Sequence, residues 1–276
     1  MKKVIRVFPR KTNATPTDSD VRIRQLPLLS DEADEIHISV TFSWDIEWAE
    51  NVAQQWKQVA PVSIGGPAYM ERGGEFTPGL YLKEGYVITS RGCNNRCWFC
   101  SVPEREGFAV RELKVTDGWI LCDDNILACS QSHIEKVFDM LTRQKEKPSF
   151  AGGLEAALLT DSIAVRLRKL KPKSLFFAYD TPNDLEPLFE AGWMLLDAGF
   201  TKASNTLRCY VLIGYKGDTE EKALKRLKQS WDAGFMPFAM LYRDENGNYS
   251  ESWKKFQRQW ANPVITACNC KRFDSY

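Results

Sequence analysis

Cys93, Cys97 and Cys100 stand at C-x3-C-x2-C spacing in a stretch entered through Ser90-Arg91-Gly92. Three thiolates on one short loop suit a soft metal centre, because thiolate ligands select zinc, copper(I) or iron–sulfur clusters. Gly92 and the Asn94-Asn95 pair favour a tight loop over a helix interior. Closed structural zinc sites and ordinary iron–sulfur clusters take four protein ligands. Three cysteines with no obvious fourth leave a coordination position for something other than protein. Two further readings stand beside this one. Positions 93, 97 and 100 share one face of a helix, where buried cysteine behaves as a small hydrophobe. A structural zinc site would recruit a distant fourth ligand.

Composition bounds what can hold such a loop. The 276 residues are enough for one large domain, or one domain with a small appendage. A hydrophobic content of 43%, with 9 Trp and 15 Phe, supports a substantial core and argues against disorder. The formal net charge of +1 supplies no global field for nucleic acid or anionic lipid, although a local basic patch stays open. No apolar run has the length of a membrane span, and Met1-Lys2-Lys3-Val4-Ile5-Arg6 lacks the apolar stretch of a signal peptide. Eight cysteines in that context read as reduced thiols and metal ligands in the cytoplasm, not as a disulfide framework.

Periodicity gives the elements. Residues 4–8 and 36–42 read as strands, with a Pro/Thr/Asn/Asp-rich connection over 9–20. Ile46, Ala49, Val52, Ala53 and Trp56 have helical spacing, and Pro61–Ile64 is a strand closed by Gly65-Gly66-Pro67. Residues 1–80 are thus predicted to form a small Rossmann-like α/β segment with parallel strands. The Gly65-Gly66 pair reads as a turn in preference to a phosphate loop. Glycines over 68–85 mark a linker. From Tyr86 onward, six strands are predicted at Tyr86–Thr89, Trp119–Cys122, Ser149–Ala151, Ser174–Ala178, Arg208–Ile213 and Met236–Leu241. Helical patterns separate most of them, two with capping-box chemistry at Ser132/Glu135 and Asp218/Glu221. The prediction for 81–245 is a partial (β/α)6 TIM-like barrel. Residues 246–276 form a C-terminal helix and tail, with Trp253, Phe256 and Trp260 docking the helix.

In such barrels chemistry sits at the C-terminal strand ends. There the cysteine loop would meet Asp123, Asp124 and Asn125 after the second strand, and Gly152, Gly153 and Glu155 after the third. Tyr179 and Asp180 would follow the fourth strand, Gly214, Lys216 and Asp218 the fifth, and Tyr242 and Arg243 the sixth.

With these residues in place, the chain over 86 to about 243 resembles the radical S-adenosylmethionine (SAM) enzymes. The match rests on C-x3-C-x2-C with an aromatic, Phe99, before the last cysteine, on the first strand of a βα barrel. The resemblance implies a [4Fe-4S] cluster on Cys93, Cys97 and Cys100, with SAM chelating the fourth iron and a reductant such as flavodoxin or ferredoxin. It implies reductive cleavage of SAM to a 5′-deoxyadenosyl radical that abstracts hydrogen from a substrate. By the same resemblance the backbone at Phe99 meets adenine, and Asp123-Asp124-Asn125 stands where a Gly-Gly-Glu-like motif usually binds the SAM amino group. Gly152, Gly153 and Glu155 fall at the ribose or methionine end, and Ile213 and Gly214 belong to the motif that packs on adenine. Tyr179 and Tyr242 are further strand-end contacts.

Residues 36–67 resemble the end of the cobalamin-binding domain that precedes some radical SAM barrels. There is no Asp-x-His-x-x-Gly, and His37 lies within a predicted strand, so it reads as a structural or edge-strand residue and cobalamin is not expected. Cys122, Cys129 and Cys209 read as ordinary thiols. Cys268 and Cys270 are too few for the cysteine-rich auxiliary-cluster domains of that family. Two alternatives accompany the enzyme reading. One is a non-catalytic metal-binding or interaction module stapled by the cysteines; the other is a radical SAM modifier of nucleic acid, which the balanced charge does not favour.

Overall fold

Val4–Phe8 forms β1, and a computed structural model, which describes residues 2–273, pairs it on both sides. Val21–Ile23 (β2) lies along one edge, and Glu35–Ser39 (β3), then Val62–Gly65 (β4), along the other. The order is β2-β1-β3-β4, parallel throughout. Ile46–Trp56 (α1) is the crossover between β3 and β4. Ile5, Val7, Ile36 and Ile38 bury against Ala49, Val52, Ala53 and Trp56 in a core of their own. The third strand stops short of the predicted residue 42, where Phe42 leaves the sheet to stack on Trp44 at 4.8 Å. Because β3 has neighbours on both sides, His37 is not on an edge strand. Its Nδ1 shares a hydrogen bond with the Tyr81 hydroxyl (2.8 Å).

The second sheet is longer. Its first strand is Tyr86–Val87 (β5). Next come Ser90–Arg91 (β6), Val102–Glu106 (α2) and Arg111–Glu112 (β7), where β6 and β7 form an antiparallel pair at the root of the cysteine loop. Then follow Ile120–Leu121 (β8), Gln131–Arg143 (α3), Ser149–Leu154 (β9), Asp161–Leu170 (α4) and Ser174–Ala178 (β10). Leu185–Asp197 (α5), Leu207–Ile213 (β11), Glu220–Asp232 (α6) and Met236–Leu241 (β12) complete it. The strands run β5-β8-β9-β10-β11-β12, all parallel, as βα alternation requires. Glu251–Trp260 (α7) and Pro263–Phe273 (α8) end the described chain, with Phe256 and Trp260 buried.

Period-two alternation sorts this sheet into two faces. Leu121, Phe150, Leu175, Phe177, Cys209 and Val211 face the helices, in one core with Phe138, Leu167, Leu195 and Leu227. Phe176, Arg208, Tyr210 and Phe238 occupy the other face.

Two helix starts differ from expectation. Ser130, not Ser132, caps α3 by accepting from the His133 N–H (3.3 Å), and Thr219, not Asp218, caps α6 by accepting from Lys222 (3.2 Å). Ser130 and Thr219 have the extended backbone a cap needs, whereas Ser132 already lies inside the helix. The two sheets meet where Ser43 Oγ donates to the Glu245 carbonyl (2.5 Å) and Arg243 lies over Trp44 (5.6 Å). No helix among the described residues is long and apolar enough to cross a membrane.

Candidate metal centre

The cysteine loop leaves the sheet because Asp123 pulls its root away. Val87 still pairs in β5, but Thr89 and Ser90 turn toward the carboxylate that follows β8. The Thr89 N–H (2.6 Å), Thr89 Oγ1 (2.6 Å) and Ser90 Oγ (2.7 Å) all donate to Asp123. This is why the first strand is shorter than the predicted 86–89. Asp123 is 1% exposed, and burial pushes its carboxyl up against the opposing effect of these bonds. Both of its oxygens are engaged inside the protein, so Asp123 acts as a latch for the loop. Asp124 carries the next turn, where the Gly92 N–H donates to its Oδ2 (2.8 Å). Gly92 needs its φ of +91°, and a Cβ there would meet the Ala109 carbonyl at 2.5 Å.

Behind the loop, Glu106 is 3% exposed and faces Arg105 (3.1 Å), Arg111 (3.2 Å) and Arg91 (3.7 Å), and it accepts from the Gly73 N–H (3.2 Å). This network bolts α2, β6 and β7 to the linker. It is the loop's rear wall.

The three thiols are partly buried. Burial, then the neighbouring cysteine and carboxyl groups, push Cys97 up to about 11; burial also raises Cys100. With their thiols raised in this way, Cys97 and Cys100 hold their protons at neutral pH, and a metal binding there would displace them. Two N–H groups point at the Cys93 sulfur, from Asn95 (3.5 Å) and the Asn125 amide (3.6 Å). Hydrogen bonds to sulfur are among the devices that set cluster potentials. Among the described residues, no three His, Cys, Asp or Glu side chains are gathered tightly enough to hold a single metal ion. The donor set at the loop is three neighbouring thiols, with N–H groups of Asn95 and Asn125 directed at the Cys93 sulfur.

Around the thiols, Asn125 Nδ2 also donates to Glu155 Oε2 (2.5 Å) and Asn94 Oδ1 (3.1 Å), bringing Glu155 beside Cys93. Trp98 is 60% exposed, with its ring against Phe99 (5.5 Å), Tyr215 (5.6 Å) and Tyr242 (5.6 Å). Asp180 lies within electrostatic reach of Cys97 and accepts from the Leu212 N–H (3.0 Å). A cleft of about 580 Å³ opens beside Cys97 and Cys100, lined by Arg96, Pro103, Glu104 and Phe108.

The predicted site residues thus divide. Cys93, Cys97, Cys100, Phe99, Asp124, Glu155 and Tyr242 gather at the strand ends. Gly152 and Gly153 lie within β9 and not after it: a Cβ on Gly152 would sit 1.9 Å from the Asp123 carbonyl, so its smallness serves strand packing. Tyr179 and Ile213 correct the expectation. Tyr179 is 4% exposed and donates to Gln229, and Ile213 is fully buried under the helices, because odd-numbered positions of β10 and β11 face that layer. Gly214 donates to Asp218 (2.9 Å) and packs on Trp253. Arg243 turns away to Trp44 and Tyr249, while Lys216 is exposed. Cys268 is exposed and Cys270 buried on one helix, so they face different surroundings.

Trp98, Tyr215 and the Glu106 network were not singled out from sequence. Trp98 and Tyr215 carry one signal that was available: an aromatic beside the cysteines and another just past a strand end. No family model matches this chain, and no curated protein matches it.

Proposed function

We propose that this chain is a radical SAM enzyme, with its six parallel strands curled into a partial (β/α)6 barrel and Cys93, Cys97 and Cys100 as ligands of a [4Fe-4S] cluster. One observation carries the reading: three neighbouring thiols on one loop, at the C-terminal end of the first of six parallel strands. When bound, such a cluster supplies an electron that cleaves SAM reductively to a 5′-deoxyadenosyl radical able to abstract hydrogen.

The chain's own residues would have these parts. Asp123 and Asp124 hold the loop in place through Thr89, Ser90 and Gly92. Asn95 and Asn125 orient the Cys93 sulfur, and Glu155 presents a carboxylate beside it for the ammonium of SAM. Phe99, Trp98, Tyr215 and Tyr242 offer flat surfaces for adenine and keep water from the strand ends. The cleft lined by Arg96 and Phe108 reaches Cys97 and Cys100 from outside, where a flavodoxin- or ferredoxin-type reductant would deliver its electron.

The test is anaerobic reconstitution with iron and sulfide. The protein should take up four irons, turn brown, and release 5′-deoxyadenosine when given SAM and dithionite. Cys93→Ala, Cys97→Ala and Cys100→Ala should each keep the native far-UV dichroism and lose both properties. A folded protein that binds one zinc and never cleaves SAM would overturn the proposal, as would cysteine variants that unfold, because structural-metal binding energy is folding energy.

A further inference from the structure

The sheet face opposite α3–α6 carries a cation that no carboxylate neutralises. Arg208 is half-buried near the start of β11 and forms no ion pair among the described residues. Its guanidinium bonds the Asn205 carbonyl (3.2 Å) and lies over the Phe176 ring (5.5 Å). Arg6, Arg22, Arg91, Arg105, Arg111 and Arg226, also withdrawn from solvent, each face an Asp or Glu. Arg243 is the comparable exception, and it is placed against Trp44 and Tyr249. A half-buried charge without a counter-charge costs stability, and an incoming anion would remove that cost.

Next to Arg208 the same face is aromatic. Phe176 stacks on Tyr210 (4.3 Å, 14°), and Phe238 sets its edge against both, at 6.2 and 5.8 Å. Parallel sheets ordinarily bury both faces. Here these three rings remain half-buried, and Met240 above them is 41% exposed. From Arg208 to Leu212, at the level of the strand ends, is roughly 13 Å along the strand. That length accommodates one or two fused rings between the cation and the cysteine loop.

We infer that this face binds a small molecule with a flat, largely apolar ring body and a carboxylate at one end, the ring lying on Tyr210 and Phe238 and the carboxylate in the fork of Arg208. A guanidinium meets a carboxylate with two parallel hydrogen bonds, which fixes orientation as well as charge. As the substrate site of the enzyme proposed above it rests on that reading; as a binding site it rests on this face alone.

The experiment uses the full chain, before and after reconstitution, and three probes that share one ring: indole-3-acetate, indole-3-acetamide and tryptamine. Calorimetry or saturation-transfer NMR should find indole-3-acetate bound about tenfold more tightly than the amide. Arg208→Met should erase that preference and leave amide binding unchanged. Arg208→Lys should keep part of it, since charge remains and the fork is lost. Phe238→Ala should weaken both probes alike. Thermal unfolding of each variant checks that the fold survives. Equal affinity for the three probes, no binding by any, or a carboxylate preference that survives Arg208→Met would overturn the inference. Arginine-dependent binding without SAM cleavage would keep this site and remove the radical reading; SAM cleavage with no probe preference would do the reverse.

Discussion

Replacing Asp180 with asparagine should make the metal-free protein more stable at neutral pH and leave it unchanged in acid. Asp180 is withdrawn from solvent at the end of β10, and its carboxyl is pushed from 3.8 to about 6, first by burial and then by Asp184, with the Leu212 N–H and Arg226 opposing. A folded-state pKa above the unfolded one means that the folded chain holds this proton longer. Between pH 3.8 and about 6 the unfolded chain gives up its proton first, so stability falls as pH rises through that window. The gap corresponds to about 3 kcal/mol, fully expressed above the folded pKa. Asparagine keeps an oxygen for the Leu212 N–H and never ionises. Urea unfolding of chelator-treated protein should show the two forms matched near pH 4, with Asp180→Asn ahead by about 2–3 kcal/mol at pH 7.5. A wild type as stable as the variant at pH 7.5, or a difference that does not change with pH, would refute the reasoning. If the gain appears, the carboxyl beside Cys97 is kept at a cost to the fold, which marks a group with work to do at the strand ends.

Two packing predictions accompany this one and the cysteine and Arg208 variants. Gly152→Ala should cost about 3 kcal/mol in urea unfolding, because its Cβ would sit 1.9 Å from the Asp123 carbonyl, whereas Gly153→Ala, with nothing within 4 Å and a φ of +94°, should cost about 1 kcal/mol of backbone strain. Equal losses would show that strand contact is not what Gly152 serves. Glu106→Gln should cost about 3–5 kcal/mol by leaving Arg91, Arg105 and Arg111 without their shared counter-charge. Limited trypsin digestion should then cut first within residues 91–111, and an unchanged cleavage pattern would remove the network from its role as rear wall.

Strand and helix positions were readable because their signals are local. The apolar alternation of residues 207–213 and the i, i+3, i+7 spacing of Ile134, Val137 and Leu141 each point one way, and βα alternation then dictates parallel pairing. Side-chain direction at a strand end was less readable. Position alone put Tyr179 and Asp180 in one mouth, yet alternation sends Tyr179 under the helices and leaves Asp180 at the opening. The latch role of Asp123 was hidden for a different reason. Its partners Thr89 and Ser90 lie more than thirty residues upstream, at the predicted end of the first strand and the entry to the cysteine loop, and no periodicity encodes that latch. The short β2 and the β6–β7 pair were missed likewise, since two or three residues carry no pattern. Glu106 and its arginines carry no spacing signal in sequence; only the fold brings them together and buries Glu106.

Trp98 bears on the order in which this molecule is made. Its ring touches Tyr215, just past β11, and Tyr242, just past β12, while the loop that carries it is rooted beside β5. The first strand of the large sheet and the last are thus joined through a contact that spans most of its sequence. Cys93, Cys97 and Cys100 leave the ribosome early, but the aromatic wall beside them is finished only after β12 has docked. Long-range contacts of this kind form late in folding. The thiols should therefore acquire their final surroundings as a closing step, and under the function proposed above that favours loading of a cluster into the completed chain over capture by the nascent one.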